Sequence, residues 1–410
     1  MRVMYLGVSA DVGGAERSLF DILSSIRRAE PAWALHLVTA ADGPLVDMAA
    51  AIGVATSVMP LPSSISRLGE AGAVNAGGAL RFAAGLAGAL VSSSSYVGKI
   101  HTALRAFKPD VLHSNSLKMH VLGAAAVTKD AGSNRRGTPL VWHMHDYIGT
   151  RPATSRLLRW RRGACRAIVA NSESVAADVR RTLGSQIPVA TVLNAVDLEQ
   201  FSPDGPRADL DSLSGLPPAP DGTVRIGLVG TLGRWKGHET FLDAIARLPR
   251  GIPVRAYVVG GALYSTSGSQ HTVDDLRRCA ERAGVTDRVG FTGFLGRPDD
   301  AMRALDIVVH ASTAPEPFGL VIVEAMACGR AVIASDAGGA REIFTDGVDA
   351  LAHRPGDAVE LAARIEQLAT DPALRCRLGR AGRQTATAHF DRTRLAADLR
   401  PVYEQAAAGV

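Results

Sequence analysis

Cysteine is scarce and scattered: Cys165, Cys279, Cys328 and Cys376 stand singly, without a C-x-x-C spacing, which argues against a zinc knuckle or a disulfide framework. Lysine is nearly as rare, present only at Lys99, Lys108, Lys118, Lys129 and Lys236, so arginine carries the positive charge and the net charge is only +5. That balance is too weak to indicate a nucleic-acid binder. The longest uncharged helical candidate, Phe82 to Val91, falls well short of the roughly 20 residues that cross a bilayer. The chain opens on a strand-like Arg2-Val3-Met4-Tyr5-Leu6-Gly7 rather than a charged start, apolar centre and small-residue cleavage site. A cytoplasmic protein, peripheral to a membrane at most, is the expectation. The dinucleotide fingerprint G-x-G-x-x-G is also missing after the first strand, where Asp11-Val12-Gly13-Gly14-Ala15-Glu16 stands instead, which weighs against a nicotinamide oxidoreductase.

What is present is a regular alternation over 410 residues, enough for two domains. Short Val/Ile/Leu runs alternate with helical patterns, which predicts parallel sheets flanked by helices. Strands are expected at Arg2 to Val8, Ala34 to Thr39, Thr56 to Leu61, Asp110 to Ser114, Leu140 to His145, Ala167 to Asn171 and Val189 to Leu193. A second set follows at Val224 to Leu228, Val254 to Val259, Val289 to Phe291, Ile307 to His310 and Ala331 to Ala334. Between the sets, Asp197 to Gly222 is rich in Pro, Gly, Asp and Ser and reads as an interdomain linker. The expected domains are residues 1–198 and 199–390, each a doubly wound Rossmann-like unit facing an interdomain cleft. Arg151, Arg156, Arg159, Arg161, Arg162 and Arg166 form the one dense basic stretch, read as a solvated helix face or as a contact for anionic acceptors or a membrane surface.

The most informative segment is Glu316-Pro317-Phe318-Gly319-Leu320-Val321-Ile322-Val323-Glu324, continuing into Ala325-Met326-Ala327-Cys328-Gly329. Pro317 biases Glu316 toward an extended conformation and suits a helix start, so a helix is expected near Gly319. Glu324 then falls about two turns along it, on the order of 10 Å from Glu316. The first amides of that helix, around Gly319 and Leu320, would favour a phosphate between the two carboxylates. Two hydroxyl-binding carboxylates beside a phosphate cradle match a nucleotide sugar.

This segment resembles the donor-binding signature of family 4 retaining glycosyltransferases of the GT-B fold, and the resemblance extends over nearly the whole chain. It implies that Glu316 meets the donor hexose hydroxyls, that Glu324 holds the ribose hydroxyls, and that Phe318, Gly319 and Leu320 lie along the donor. Gly13 and Gly14 would face the donor phosphates and, with Glu16, the acceptor. In Gly230-Thr231-Leu232-Gly233-Arg234-Trp235-Lys236-Gly237, Lys236 matches the phosphate-binding lysine. Thr231 replaces the family's arginine, and Arg234 is a candidate substitute. His145, in Val141-Trp142-His143-Met144-His145-Asp146, matches the histidine against the reacting sugar. From the residues alone, His143 and His145 share a strand face, and a buried histidine pair or a metal site both stay open. Gly260, Gly293 and Phe294 match loops that hold the base through main-chain groups. Gly338-Gly339-Ala340-Arg341-Glu342 matches a turn that fixes loop geometry, and Asn194-Ala195-Val196-Asp197 a hinge or structural turn.

Asn115, Lys118, His120, Asp146, Tyr147 and Arg151 suggest a polar acceptor pocket. The resemblance further implies transfer with retention, no resident metal or cofactor beyond the nucleoside diphosphate sugar, and a final helix, 391–410, returning to the first domain. Catalysis would rest on His145, Lys236, Arg234 and Glu316. A nucleotide-sugar epimerase, a phosphorylase or a catalytically silent sugar-nucleotide-binding protein are the alternatives. A phosphorylase would need a lysine for pyridoxal phosphate, and Lys236 is the only lysine of the second half.

Overall fold

The short apolar runs pair into two wholly parallel sheets. In the computed structural model, which describes residues 1–62, 79–130, 137–261 and 269–409, the chain divides into two compact units. The first is Met1–Leu193 together with Thr393–Val410, and the second is Asn194–Arg392.

The first unit contains β1 (Arg2–Gly7), β2 (Ala34–Thr39), β3 (Ala55–Val58), β4 (Val111–Ser114), β5 (Leu140–Met144), β6 (Cys165–Ala170) and β7 (Val189–Thr191), in the order β3-β2-β1-β4-β5-β6-β7. The second contains β8 (Val224–Val229), β9 (Val254–Val259), β10 (Val289–Gly293), β11 (Ile307–His310), β12 (Ala331–Ser335) and β13 (Leu351–His353), in the order β10-β9-β8-β11-β12-β13. Residues of β5, β9 and β12 are buried on both faces, as helices packed on either side of a parallel sheet require. In the helix Gly14–Ala29, Leu19, Ile22, Leu23 and Ile26 are buried, a helical spacing that lays one stripe on the sheet. The uncharged stretch 82–91 lies within a helix Ala79–Phe107.

Two elements depart from the sequence expectation. The short strand β13 had no signal, since Leu351-Ala352-His353 is brief and ends in a polar residue. The Pro/Gly/Asp/Ser segment is not a loose linker but part of the second unit. Its helix Leu210–Ser214 buries Asp211, which accepts hydrogen bonds from Arg255 Nη1 at 2.7 Å, Tyr257 Oη at 2.6 Å and the Ala219 amide at 2.9 Å. The chain instead crosses between the units beside Leu193 and Thr393. The last helix, Leu395–Ala408, packs on the first unit, where Ser25 Oγ receives the Ala396 amide at 3.0 Å and the Tyr403 hydroxyl lies 2.8 Å from His113 Nδ1.

Replacing Asp211 should therefore act like breaking a buried ion pair. Arg255, almost as enclosed as its partner, would be left uncompensated. Asp211→Ala is expected to destabilise the second unit by about 3–5 kcal/mol, read from its urea unfolding transition. A change under about 1 kcal/mol would restore the reading of this segment as a linker.

Candidate functional site

In an open parallel sheet the crevice lies where the strand order reverses, outside the carboxyl ends of the strands. In the second unit that point is between β8 and β11, paired only through Ile307 with Ile226 and Val308 with Gly227. After β8 the chain turns through a 3-10 turn, Arg234–Lys236, capped by Gly237 at φ 75°. A Cβ on Gly237 would stand 1.9 Å from the Ala311 carbonyl oxygen, so only glycine lets this turn press against the backbone beyond β11. The Trp235 carbonyl fixes the contact by accepting the Thr313 amide at 2.8 Å.

That approach brings Lys236 Nζ to 2.8 Å from Glu316 Oε1, with the side chains only 24% and 11% exposed. The other carboxylate oxygen, Oε2, accepts from Ser312 Oγ at 2.6 Å and lies 3.4 Å from His310 Nε2. Glu316 is also held by its backbone, pairing with Gly338 and accepting the Gly339 amide at 2.7 Å. The glycine turn at 338–342 thus fixes loop geometry. Burial alone would raise the Glu316 carboxyl, but the Lys236 ammonium and His310 beside it hold it well below the usual carboxylate range. A depressed carboxyl keeps its stabilising contribution above the ordinary carboxylate pKa and loses it only as pH falls through the lower folded value, so this pair stays ionised in mildly acidic solution.

Around this ion pair the other candidates are arranged unevenly. Gly319 caps the helix Leu320–Ala327 at φ 110°, and Glu324 lies on that helix, partly exposed. Phe318, by contrast, is a core side chain, packed edge-on against Phe390 at 6.0 Å between centroids, so only its backbone can face a donor. The loops after β8, β9 and β10 are stitched together: the Gly230 amide donates to the Val259 carbonyl at 2.9 Å and the Gly260 amide to the Gly293 carbonyl at 3.0 Å. A Cβ on Gly260 would meet the Gly230 oxygen at 1.8 Å. Phe294 stands out from this edge, largely exposed. Thr231 is partly buried and Arg234 exposed. His310 and Ser312 are the residues that sequence reasoning missed. Their signal was present in His310-Ala311-Ser312, which leads from a strand's carboxyl end toward Glu316.

The first unit has its own reversal, between β1 and β4. Gly13 caps the helix that follows β1. Asn115, just after β4, spans the reversal: its Nδ2 donates to the Ala15 carbonyl at 3.0 Å and its Oδ1 lies 2.8 Å from His145 Nε2. With the amide nitrogen committed to a carbonyl, Oδ1 can only accept, so the His145 proton sits on Nε2. Asn115 is buried, and both ends of its amide are engaged within the first unit. Asp146 and Arg151 form an exposed ion pair, and Lys118 and Tyr147 are partly exposed. Glu16 sits in the first turn of its helix, where burial raises its carboxyl against the opposing amides of Glu16 and Gly13.

Behind His145 lies a chain of buried rings: His143 at 4.0 Å between centroids, then His113 at 5.2 Å from His143, with His120 stacked on Trp142. His143 and His145 do share a face. Among the described residues no three His, Cys, Asp or Glu side chains are grouped to share a metal ion. Burial pushes His145 down to about 4 and His113 to about 3, and holds His120 and His143 well below the ordinary value. These imidazoles are neutral at pH 7. Groups whose folded pKa is depressed bind fewer protons than the unfolded chain between pH 6.5 and the folded values, so stability falls as pH drops through that window. The stability of the first unit, read from its urea transition, should therefore decrease from pH 7 to pH 5, by on the order of 1 kcal/mol per pH unit for each histidine. An unchanged midpoint would show that these rings are solvated.

Comparison with known proteins bears on both units. The family model described as Glycosyltransferase Family 4 matches residues 12–200, and that described as Glycosyl transferases group 1 matches residues 217–385. A D-inositol 3-phosphate glycosyltransferase of Xylanimonas cellulosilytica is 34% identical over 58% of this chain and 57% of its own length. One of Streptomyces bingchenggensis is 32% identical over 60% of this chain and 54% of its own. The chain thus spans little more than half the length of these relatives. Anabaena HepE, solved in complex with UDP-glucose, superposes with a TM-score of 0.78 at 26% identity, covering 98% of this chain and 99% of HepE. Together with the two reversed parallel sheets, these matches place the chain in family 4 of the group 1 glycosyltransferases, on the GT-B fold.

Proposed function

We propose that the protein is a retaining glycosyltransferase that moves a hexosyl group from a nucleoside diphosphate sugar to a hydroxyl acceptor. The observation that carries this reading is the Lys236–Glu316 pair at the strand-order reversal of the second unit, beside the glycine-capped start of the helix Leu320–Ala327. A cation, a carboxylate and a helix N-terminus in one crevice suit a diphosphate bearing a polyhydroxylated ring. The HepE complex with UDP-glucose makes UDP-glucose the first donor to try.

In this reading the diphosphate attracts Lys236, and Glu316 Oε1 then accepts a sugar hydroxyl in place of the ammonium. Glu324 takes the ribose hydroxyls. The loops at Gly260, Gly293 and Phe294 take the base, largely through main-chain groups. Charge developing on the leaving diphosphate is stabilised by Lys236, Arg234 and the helix amides, and the departing phosphate oxygen takes the acceptor's proton on the same face of the sugar. Electrostatic stabilisation by protein groups makes the reaction independent of a divalent metal. His145, held by Asn115 as the neutral Nε2–H tautomer, contacts the donor sugar, while Glu16, Lys118, Asp146 and Arg151 serve the acceptor. Asn115 acts as a positioning residue that ties the glycine loop to His145.

A thermal-shift screen of nucleotide sugars followed by a donor-hydrolysis assay tests the proposal, since a ligand at 100 times its Kd stabilises by about 2.7 kcal/mol. Slow release of nucleoside diphosphate supports a transferase. Stabilisation by a nucleotide sugar without turnover on any acceptor would indicate a silent binding protein, and a new sugar nucleotide would indicate an epimerase. Lys236→Ala should lower kcat by on the order of 10²–10³ in a variant shown to be folded, and wild-type kcat would remove Lys236 from the mechanism. Glu324→Ala should weaken free nucleoside diphosphate by about 1.5–3 kcal/mol, measured calorimetrically, and unchanged affinity would refute the ribose assignment.

A further inference from the structure

The arginine-rich helix that follows Arg151 forms a feature that the proposed chemistry does not use. The helix Pro152–Arg161 turns Ser155 and Leu158 inward and presents Leu157 and Trp160 outward, 40% and 68% exposed. Three residues apart on a helix, these two side chains are neighbours. The Arg161 guanidinium lies 3.9 Å over the Trp160 ring, and Arg156 and Arg159 are exposed on the same helix. No Asp or Glu occurs between Asp146 and Glu173. The carboxylates nearest in the chain are engaged: Asp146 with Arg151, Glu173 with Arg180, and Asp178 with the Ile148 and Gly149 amides. The patch is therefore apolar at its centre and positive at its rim.

We infer that this helix face docks on an anionic lipid bilayer, with Trp160 and Leu157 entering the headgroup boundary and the arginines facing lipid phosphates. Tryptophan and leucine flanked by arginine suit that boundary, where an amphipathic ring has one side dry and the other wet. A nucleic acid would favour a groove lined with cations along its backbone, whereas this patch is a convex helix face with its cations at the margin. An acidic protein would meet the same charges but has less use for two protruding apolar side chains already in water. The inference goes beyond the proposed transfer reaction and is read out by binding, so failure of either leaves the other standing.

The purified chain is to be sedimented with vesicles of phosphatidylcholine alone and with vesicles containing equal parts phosphatidylcholine and phosphatidylglycerol. Binding to the anionic vesicles only, declining as salt is raised, is expected. Arg156→Glu, which changes the local charge by two, should weaken that binding by about tenfold or more. Trp160→Ala should weaken it also at high salt, where attraction between charges is screened. Both residues are exposed, and circular dichroism would verify that each variant is folded. Equal binding to both vesicle types, no binding to either, or unchanged binding by both variants would overturn the inference. So would retention of an acidic polypeptide such as polyglutamate, or of single-stranded DNA, without vesicle binding.

Discussion

Everything at the candidate site depends on one constraint of chain winding. A parallel sheet whose strands are laid outward in two directions from a central pair leaves the connections of that pair leaving on opposite faces, and a crevice opens between them. Here β8 and β11 separate after two residue pairs, which exposes the carboxyl ends of both. The 3-10 turn after β8 and the loop after β11 are then the segments that can meet across the gap. Gly237 lets them meet closely. Lys236, Glu316, Ser312 and His310 converge where those two segments meet.

The two reversals carry different electrostatics on the same plan. The second unit places a nearly buried ion pair in its crevice, and the mutual attraction of the charges offsets much of the cost of removing them from water. The first unit places neutral rings there, their imidazoles held below the ordinary range by loss of solvation. One crevice is thus ready for anions and hydroxyls through fixed charge, while the other offers oriented neutral dipoles. Asn115, by accepting a hydrogen bond from Nε2 of His145, fixes the tautomer of that ring.

Much of the architecture was legible because parallel strands buried on both faces read as apolar runs, and the runs at Ala34 to Thr39 and Val254 to Val259 coincide with the observed strands. Glu316 and Glu324 stood out by spacing around Pro317 and Gly319. Other features were hidden for identifiable reasons. Asp211 sits in a segment whose composition belongs to linkers, and its burial depends on Arg255 and Tyr257, far away in sequence. Phe318 lies between Pro317 and Gly319 and looks like a loop residue, yet Phe390 covers it. His310 and Ser312 are ordinary strand-end residues until the fold turns them toward one carboxylate. The ties of Asn115 were hidden too, because no local pattern reveals a partner as distant as Ala15.

The return of Thr393–Val410 to the first unit has a consequence for how the chain is made. During vectorial synthesis β1 to β7 leave the ribosome long before the helix that covers them, since Tyr403, the partner of His113, is translated about two hundred residues after β7. At the usual rate of about 5–20 residues per second, the first sheet waits roughly 10–40 s with that flank uncovered. The second unit, continuous from Asn194 to Arg392, has no such delay. Of the two units, the one synthesised earlier is therefore the one completed later, and a ribosome stalled within Leu395–Ala408 would release a chain with a finished second unit and an unfinished first.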